Sequence, residues 1–144
     1  MIIRKSNAEW LGDLKTGAGS ITFGSGAYTG PYSFQSRFES DAGTNPEELL
    51  AAAHSGCYSM AFSFALTLSG YAPQRVHTTA AVKLEPAAGG GFSITAIDLV
   101  MEAVVPAIED EQFQAIAAEA KVNCPISKAV AAVPVSLRAT LVKE

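Results

Sequence analysis

The chain has 144 residues, of which 49% are hydrophobic and 17% are charged. This size and composition predict one core-forming domain over residues 1–144, rather than a disordered chain or a disulfide-framed scaffold. The net charge is −4 and the ten Lys and Arg residues are scattered, which argues against nucleic acid or an anionic membrane as a partner. The first residues lack the apolar run of an export signal, so we expect a cytoplasmic protein.

Three strands separated by glycine-rich turns are predicted in the first quarter of the chain, over residues 5–10, 20–23 and 32–38. Gly17, Gly19, Gly24 and Gly26 lie between these segments and resemble a phosphate-binding loop in composition. However, no helix follows them whose N-terminus could hold an anion. We therefore interpret these glycines as turn residues.

A long helix is predicted from Pro46 to about Ser69. Asn45 is a suitable N-cap, Pro46 suits the first helical position, and Glu48 falls where a capping-box carboxylate belongs. Gly70 favours the end of the helix. Apolar residues occur on several of its sides, which predicts a buried helix. Its length would also suit a membrane span, but its several polar residues and the acidic residues at its start argue against one.

The second half of the chain predicts a hairpin, two helices and a final strand. The hairpin joins residues 78–85 and 92–104 through three consecutive glycines. A helix is expected over residues 109–122, and a short helix starts at Pro125 and runs to about residue 132. A strand over residues 135–142 closes the chain. This order of elements predicts the α+β class.

The two cysteines are the first candidates for chemistry. Cys57 lies on an apolar stripe of the long helix, where a free cysteine is often only a small hydrophobic residue. Because burial raises the pKa of a thiol, a reactive Cys57 needs a cation nearby. Cys124 precedes a predicted helix start, a position that slightly favours a thiolate. Their separation of 67 residues leaves open whether they meet, since a disulfide needs Cα atoms about 4.4–6.8 Å apart.

Few cations could activate Cys57. His54 lies one helical turn before it, and Arg37 lies among apolar and aromatic residues in a predicted strand. Arg37 is either solvated or close to the core, and in the second case it would stay charged and could bind a carboxylate with two hydrogen bonds. Glu47 is the natural carboxylate, although a first-turn glutamate can also simply complement the helix dipole.

Two other kinds of site are weaker alternatives. Zinc prefers nitrogen and sulfur ligands, and a zinc site could use Cys57, Cys124, His54 and His77. These residues lack the short paired spacing of structural zinc sites, which disfavours that interpretation. A serine hydrolase is disfavoured because the chain has no nucleophile-elbow pattern.

Several motifs occur together in an order that spans nearly the whole chain. They are Trp10-Leu11-Gly12-Asp13, Arg37-Phe38-Glu39, Gly43-Thr44-Asn45-Pro46-Glu47-Glu48-Leu49, Ala52-Ala53-His54-Ser55-Gly56-Cys57 and Asn123-Cys124-Pro125-Ile126-Ser127. In these motifs the chain resembles the OsmC/Ohr family of osmotically inducible and organic-hydroperoxide-resistance proteins, and it is most similar to the OsmC branch. The Ohr branch takes its arginine from another place near the N-terminus, where this chain offers only Arg4.

The resemblance implies an α+β, OsmC-like fold in which antiparallel sheets pack around the long central helix, in an intertwined homodimer. It also implies a thiol-dependent peroxidase that reduces organic hydroperoxides to alcohols in oxidative or osmotic stress defence. Carried over by position, Cys57 is the peroxidatic thiolate, Cys124 is the resolving thiol, and Arg37 with Glu47 activates Cys57.

The same resemblance implies neither a metal nor a bound cofactor. An external dithiol would reduce the Cys57–Cys124 disulfide, and the resemblance suggests lipoyl groups of lipoylated proteins as that donor. The alternative function is a non-catalytic stress or ligand-binding protein on the same fold.

Overall fold

A computed structural model describes residues 1–143 of the chain. The chain divides into two compact units, Met1–Leu49 and the chain from Leu50 onward. A single domain over residues 1–144 stays a prediction. In chain order the elements are β1 Ser6–Leu11, β2 Ala18–Phe23, β3 Thr29–Tyr32, α1 Phe34–Phe38, α2 Pro46–Leu68, β4 Arg75–Pro86, β5 Phe92–Val104, α3 Asp110–Asn123, α4 Pro125–Ala129 and β6 Val135–Leu141.

The first unit contains an antiparallel sheet in the order β1-β2-β3. At its centre Gly19 pairs with Trp10 on one side and with Tyr32 on the other. The Trp10 and Tyr32 rings pack across this position, with centroids 5.3 Å apart, and a Cβ on residue 19 would clash with the Tyr32 ring. Gly19 is therefore required by side-chain packing, not by a bound phosphate.

The prediction of a strand over residues 32–38 is wrong. β3 ends at Tyr32, and α1 follows it. Ser33 is the N-cap: its side chain accepts a hydrogen bond from the Ser36 N–H at 3.0 Å, and the Ser36 hydroxyl oxygen accepts one from the Ser33 N–H at 2.8 Å. This reciprocal capping satisfies two backbone donors locally, and it overrides the preference of the flanking phenylalanines for a strand.

Helix α2 begins where the sequence predicts. The Glu48 N–H donates to Asn45 Oδ1 at 2.8 Å, as an N-cap requires. The Glu48 carboxylate, expected to complete a capping box, instead accepts a hydrogen bond from the Thr44 hydroxyl at 2.8 Å. Beyond Leu68 the chain turns at Gly70, whose φ of +86° is easily adopted only by glycine.

The second unit contains a sheet in the order β4-β5-β6. The predicted hairpin is confirmed, because β4 and β5 pair antiparallel. The expectation of wholly antiparallel sheets needs a correction, since β5 and β6 pair in parallel. The chain between them passes through α3 and α4, and such a crossover returns a strand in the same direction. The α+β class itself is confirmed.

The core of the second unit forms around one stripe of α2. The stripe consists of His54, Tyr58, Phe62 and Leu66, each fully buried. Their four-residue spacing puts them on one helix face. They belong to or border a cluster of buried residues from β5 and α3 that includes Ile97, Leu99, Met101, Phe113, Ala117 and Cys124.

The composition of α2 predicts a helix that is buried on several sides. Within one chain, however, only part of its apolar surface is buried. Met60, Phe64 and Leu68 are 76%, 64% and 72% exposed. Among the described helices, α2 is long and apolar enough to cross a bilayer. A core helix of a soluble protein meets the same criteria, so length and composition do not separate the two cases.

Tyr58 links α2 to α3, because its hydroxyl donates to the Ala117 carbonyl at 3.0 Å. Burial, aided by negative charge on Cys124, raises the pKa of Tyr58. The folded pKa therefore lies above the unfolded value of about 10. Tyr58 contributes stability that is fully present below about pH 10 and is lost as the pH rises through the folded pKa.

Tyr58→Phe should reduce the decrease in unfolding free energy that occurs as the pH rises above about 10. Above about pH 10 the parent should lose up to about 1.4 kcal/mol of unfolding free energy per pH unit through this phenol, and the variant should not. At neutral pH the variant should be about 1 kcal/mol less stable, because a hydrogen bond is lost. Urea unfolding at a series of pH values measures both effects. Equal alkaline slopes in the parent and the variant would contradict the assignment.

Candidate active site

The two cysteines lie next to each other. Cys57, on α2, and Cys124, between α3 and α4, are both free, and their Sγ atoms are 3.2 Å apart. A disulfide bond is about 2.05 Å long, so this is a reduced dithiol that a small approach would join. Cys57 is half-buried, whereas Cys124 has no exposed surface. Cys57 is therefore the sulfur that a small molecule can reach.

Backbone geometry places Cys124. It is both the C-cap of α3 and the N-cap of α4, with φ −56° and ψ 123°. Proline disfavours helical geometry in the residue before it and suits the first position of a helix. Pro125 therefore ends α3 before Cys124 and starts α4 after it. The predicted short helix is confirmed, although α4 ends at Ala129, before the expected residue 132.

The two thiols differ in their electrostatic surroundings. Burial raises the pKa of Cys57, and the Ile126 N–H opposes this only in part. Burial alone would also raise the pKa of Cys124, but the Ser127 N–H, the Cys57 thiol, the Ser127 hydroxyl and the Ile126 N–H together lower it. The Cys124 side chain forms no capping hydrogen bond at the start of α4, so the lower pKa of Cys124 reflects several weak interactions together. Within the second unit the charge of the pair is favoured on Cys124.

His54 does not supply a cation. Its ring is fully buried, and its Nε2 lies 2.8 Å from the Ser127 hydroxyl oxygen. Burial lowers the pKa of His54, which favours the neutral ring near pH 7. Ser127 was not predicted as a partner of His54, and no local pattern indicates this contact, because the two residues are 73 positions apart.

Arg37 and Glu47 form an ion pair in the first unit. Arg37 lies in the last turn of α1, not in a strand, and Glu47 lies in the first turn of α2. The guanidinium donates from Nε to Oε2 at 3.2 Å and from Nη2 to Oε1 at 2.7 Å. It also lies over the Phe38 ring, 5.1 Å from its centroid. The side chains are 34% and 12% exposed, so the pair is partly shielded from water.

Hydrogen bonds between α1 and the residues at the start of α2 hold Arg37 and Glu47 close to each other. The Ser36 hydroxyl donates to the Thr44 carbonyl at 2.8 Å, and the Asn45 side-chain amide donates to the Ser36 carbonyl at 3.1 Å. Gly43 between them has a φ of +124°, and a Cβ there would lie only 2.9 Å from the Pro31 carbonyl oxygen. A tight connection therefore brings residues 37 and 47 together.

A pocket of about 420 Å³ lies beside Arg37. Aromatic and aliphatic side chains form most of its wall, and the guanidinium is the charged group among them. Its lining residues are Trp10, Gly12, Leu14, Tyr32, Ser33, Phe34, Arg37, Phe38 and Pro46. The pocket is of a size that holds small organic molecules.

The zinc alternative receives no support from the arrangement of these side chains. His77 is exposed on β4. Within residues 1–143 no group of three or more His, Cys, Asp or Glu side chains is close enough to hold a metal ion.

The four predicted site residues form two contacting pairs. Cys57 contacts Cys124, and Arg37 contacts Glu47.

The chain is similar to characterised protein sequences over most of its length. Residues 39–138 match the family described as OsmC-like protein. Two relatives, both named peroxiredoxin OsmC, come from Escherichia coli (strain K12) and Shigella flexneri. Each is 44% identical over 132 residues, which cover 91% of this chain and 92% of the relative.

Solved structures share the fold at lower sequence identity. The organic hydroperoxide resistance protein OsmC of Legionella pneumophila matches with a TM-score of 0.71 at 19% identity, over 99% of this chain and 100% of that one. OhrB of Bacillus subtilis matches with a TM-score of 0.70 at 22% identity, over 96% and 98% of the two chains. An OsmC-like protein of unknown function from Vibrio cholerae reaches 0.77 at 19% identity, over 96% and 99%.

The structural likeness shows an OsmC-like fold. The family match covers more than half of the residues, and the sequence identity extends over nine-tenths of the chain. On these grounds the chain belongs to the OsmC family.

Proposed function

We propose that the protein is a thiol-dependent peroxidase that reduces organic hydroperoxides to alcohols, with Cys57 as the peroxidatic residue and Cys124 as the resolving residue. The observation that carries this proposal is the 3.2 Å distance between the two sulfur atoms. The relatives named peroxiredoxin OsmC, and the hydroperoxide resistance proteins that share the fold, support a peroxide-related redox role.

The first step uses the more accessible sulfur. The Cys57 thiolate attacks the distal oxygen of the hydroperoxide, the O–O bond breaks, and the departing alkoxide takes up a proton to leave as an alcohol. Cys57 is oxidised to a sulfenic acid. Since Cys124 has no exposed surface, Cys57 is the better candidate for this attack.

The second step joins the two sulfurs. The Cys124 thiolate attacks the sulfenic sulfur, an S–S bond forms, the S–O bond breaks, and the hydroxide takes up a proton to leave as water. From 3.2 Å the sulfurs need to approach by only about 1 Å. An external dithiol then reduces the disulfide by thiol–disulfide exchange, and we propose a lipoyl group of a lipoylated protein as that donor.

Ionisation of Cys57 requires positive charge, because burial raises its pKa. We propose that Arg37 supplies this charge and stabilises the negative oxygen that develops in the first step. Glu47 would act as a positioning residue, since its two hydrogen bonds fix the orientation of the guanidinium. Cys57 packs against the apolar core cluster of the second unit, and apolar surroundings favour organic hydroperoxides over hydrogen peroxide as substrates.

One equivalent of cumene hydroperoxide added to the reduced protein should remove two thiols and form a Cys57–Cys124 disulfide within one chain. Thiol counting and mass spectrometric mapping measure both. Cys57→Ser should consume no hydroperoxide, whereas Cys124→Ser should consume one equivalent and stop at a sulfenic acid that dimedone traps. If both thiols persist in the parent protein, the result contradicts the peroxidase proposal and favours the non-catalytic stress or ligand-binding function.

Arg37→Ala should slow sulfenic acid formation, because charge stabilisation of about 2–4 kcal/mol is lost, which corresponds to roughly 30- to 1000-fold. The rate is measured in the Cys124→Ser background as a function of hydroperoxide concentration. Arg75→Ala is the matched control, since Arg75 forms an exposed ion pair with Glu102 at 2.8 Å and should leave the rate unchanged. A parent-like rate in Arg37→Ala would exclude Arg37 as the activating cation, while the cysteine chemistry would stand.

We also propose a homodimer. Met60, Phe64 and Leu68 form an exposed apolar stripe on α2 at four-residue spacing, and a second copy of the chain would remove it from water. Light scattering at micromolar protein should give twice the mass of one chain, and Phe64→Asp should lower the mass toward that of one chain. A parent protein that is monomeric under these conditions would contradict the dimer.

A further inference from the structure

Two buried side chains of α2, one before and one after Cys57, form hydrogen bonds with the two helices that meet at the second cysteine. His54, three residues before Cys57, has its Nε2 atom 2.8 Å from the Ser127 hydroxyl oxygen of α4. Tyr58, directly after Cys57, donates from its hydroxyl to the Ala117 carbonyl of α3 at 3.0 Å. Both α2 side chains are fully buried, where an unmade hydrogen bond is costly.

Packing alone does not account for the histidine. The His54 ring is fully buried, and its Nδ1 has no hydrogen-bond partner among the described residues. Burial of such a polar atom costs free energy, and an apolar side chain of similar size would fill the same space without that cost. What His54 supplies, and an apolar residue cannot, is the hydrogen bond to Ser127 of α4.

The position of Cys124 depends on α3 and α4 together. Its N–H donates to the Ala120 carbonyl of α3 at 2.9 Å, and its carbonyl accepts from the Lys128 N–H of α4 at 3.0 Å. It is the C-cap of the first helix and the N-cap of the second, with a backbone that is not helical. A shift of either helix relative to α2 would therefore move the Cys124 sulfur.

The contact between the sulfurs is too weak to hold the helices in place. A thiol is a weak donor and a weak acceptor, and both cysteines are free. The residues Pro125–Ala129 of α4 are each exposed or half-buried, so packing attaches this helix less firmly than α3, where Phe113 and Ala117 are fully buried. The hydrogen bond to His54 is thus a main attachment of α4 to α2.

We propose that His54 and Tyr58 are positioning residues for the resolving step: their hydrogen bonds to α4 and α3 hold the Cys124 sulfur within reach of the Cys57 sulfur. The proposal rests on the proposed function of the two cysteines. In that step the Cys124 thiolate attacks the sulfenic sulfur of Cys57, the S–S bond forms, the S–O bond breaks, and the hydroxide takes up a proton to leave as water. His54 and Tyr58 exchange no proton in it.

The size of the expected effect follows from the strength of one hydrogen bond. Two reacting groups that are held in place have a higher effective concentration, and an interaction can favour the aligned arrangement only by its own net contribution. Loss of one hydrogen bond should therefore slow disulfide formation by up to about fivefold. Formation of the Cys57 sulfenic acid should keep its rate, because that sulfur is carried by α2 itself.

A single turnover separates the two chemical steps. Reduced protein is mixed with cumene hydroperoxide; dimedone trapping follows the sulfenic acid, and mass spectrometry follows the disulfide. Ser127→Ala and Tyr58→Phe, on different helices, should each slow disulfide formation alone. Ser127→Thr retains a hydroxyl and should restore the parent rate. Ser59→Ala is the matched control, because the Ser59 hydroxyl of α2 bonds to Thr78 of β4 at 2.7 Å and should leave both steps unchanged.

His54 variants test the same hydrogen bond from the other side. His54→Gln keeps an amide that can bond to the Ser127 hydroxyl, and it should retain more of the parent rate of disulfide formation than His54→Leu. Because Ser127 is half-buried, Ser127→Ala disturbs the core little and decides the matter if a His54 variant does not fold.

The equilibrium between dithiol and disulfide is a readout that a merely structural role would not move, because a general loss of stability affects both redox forms alike. Poorer alignment of the reduced sulfurs in Ser127→Ala and Tyr58→Phe should lower the equilibrium constant for disulfide formation against dithiothreitol by up to about fivefold. This change corresponds to a reduction potential about 20 mV less negative than that of the parent. The Ser59→Ala protein should keep the parent potential.

The outcomes distinguish the two proposals. If the parent protein forms no Cys57 sulfenic acid, the proposed function fails and this inference fails with it. If the parent forms the disulfide normally but Ser127→Ala and Tyr58→Phe resolve at the parent rate, only the positioning role is overturned. It is also overturned if Ser59→Ala slows the step equally, which would indicate a general loss of stability, or if the slowing disappears in alkaline solution, which would indicate an effect on thiol ionisation.

Discussion

The packing of one stripe of α2 against α3 is the constraint on which the dithiol depends. The Tyr58 and Phe62 rings stack with centroids 6.2 Å apart, and Phe62 meets Phe113 of α3 edge-on at 5.3 Å. Large buried rings contribute strongly to core stability. The hydrogen bond from the Tyr58 hydroxyl to the Ala117 carbonyl also helps to fix the position of α3 on α2. Because Cys124 ends α3, fixing α3 on α2 also fixes the distance between the two sulfurs.

The same burial that stabilises the core also opposes charge within it. It raises the pKa of Cys57 and Tyr58 and lowers that of His54, so each of these groups is pushed toward its neutral form. Cys124 differs because polar hydrogens at the start of α4 outweigh the effect of burial. A core built in this way holds one negative charge more easily than two, which is compatible with the proposed reaction of the two thiols in sequence.

The sequence predicted the elements whose signals are local. The cap at Asn45, the apolar spacing along α2 and the three glycines of the hairpin depend on residues close together in the chain. The α1 segment was wrongly predicted because its apolar residues resemble a strand, while two serines, Ser33 and Ser36, provide a capping box. The parallel pairing of β6 could not be predicted from its own residues, since the intervening crossover determines its direction.

In the candidate site, too, contacts between residues close in sequence could be predicted, and contacts between distant residues could not. The motif around Arg37 and Glu47 indicated an ion pair, and residues only ten apart in the chain form it. The contacts of Cys57 with Cys124 and of His54 with Ser127 join residues 67 and 73 positions apart, so spacing alone carries no information about either distance. His54 was considered as a cation because it lies beside Cys57 on one helix face. Burial instead favours the neutral form of its ring, and its partner is the Ser127 hydroxyl of α4, a contact that its position on α2 alone does not predict.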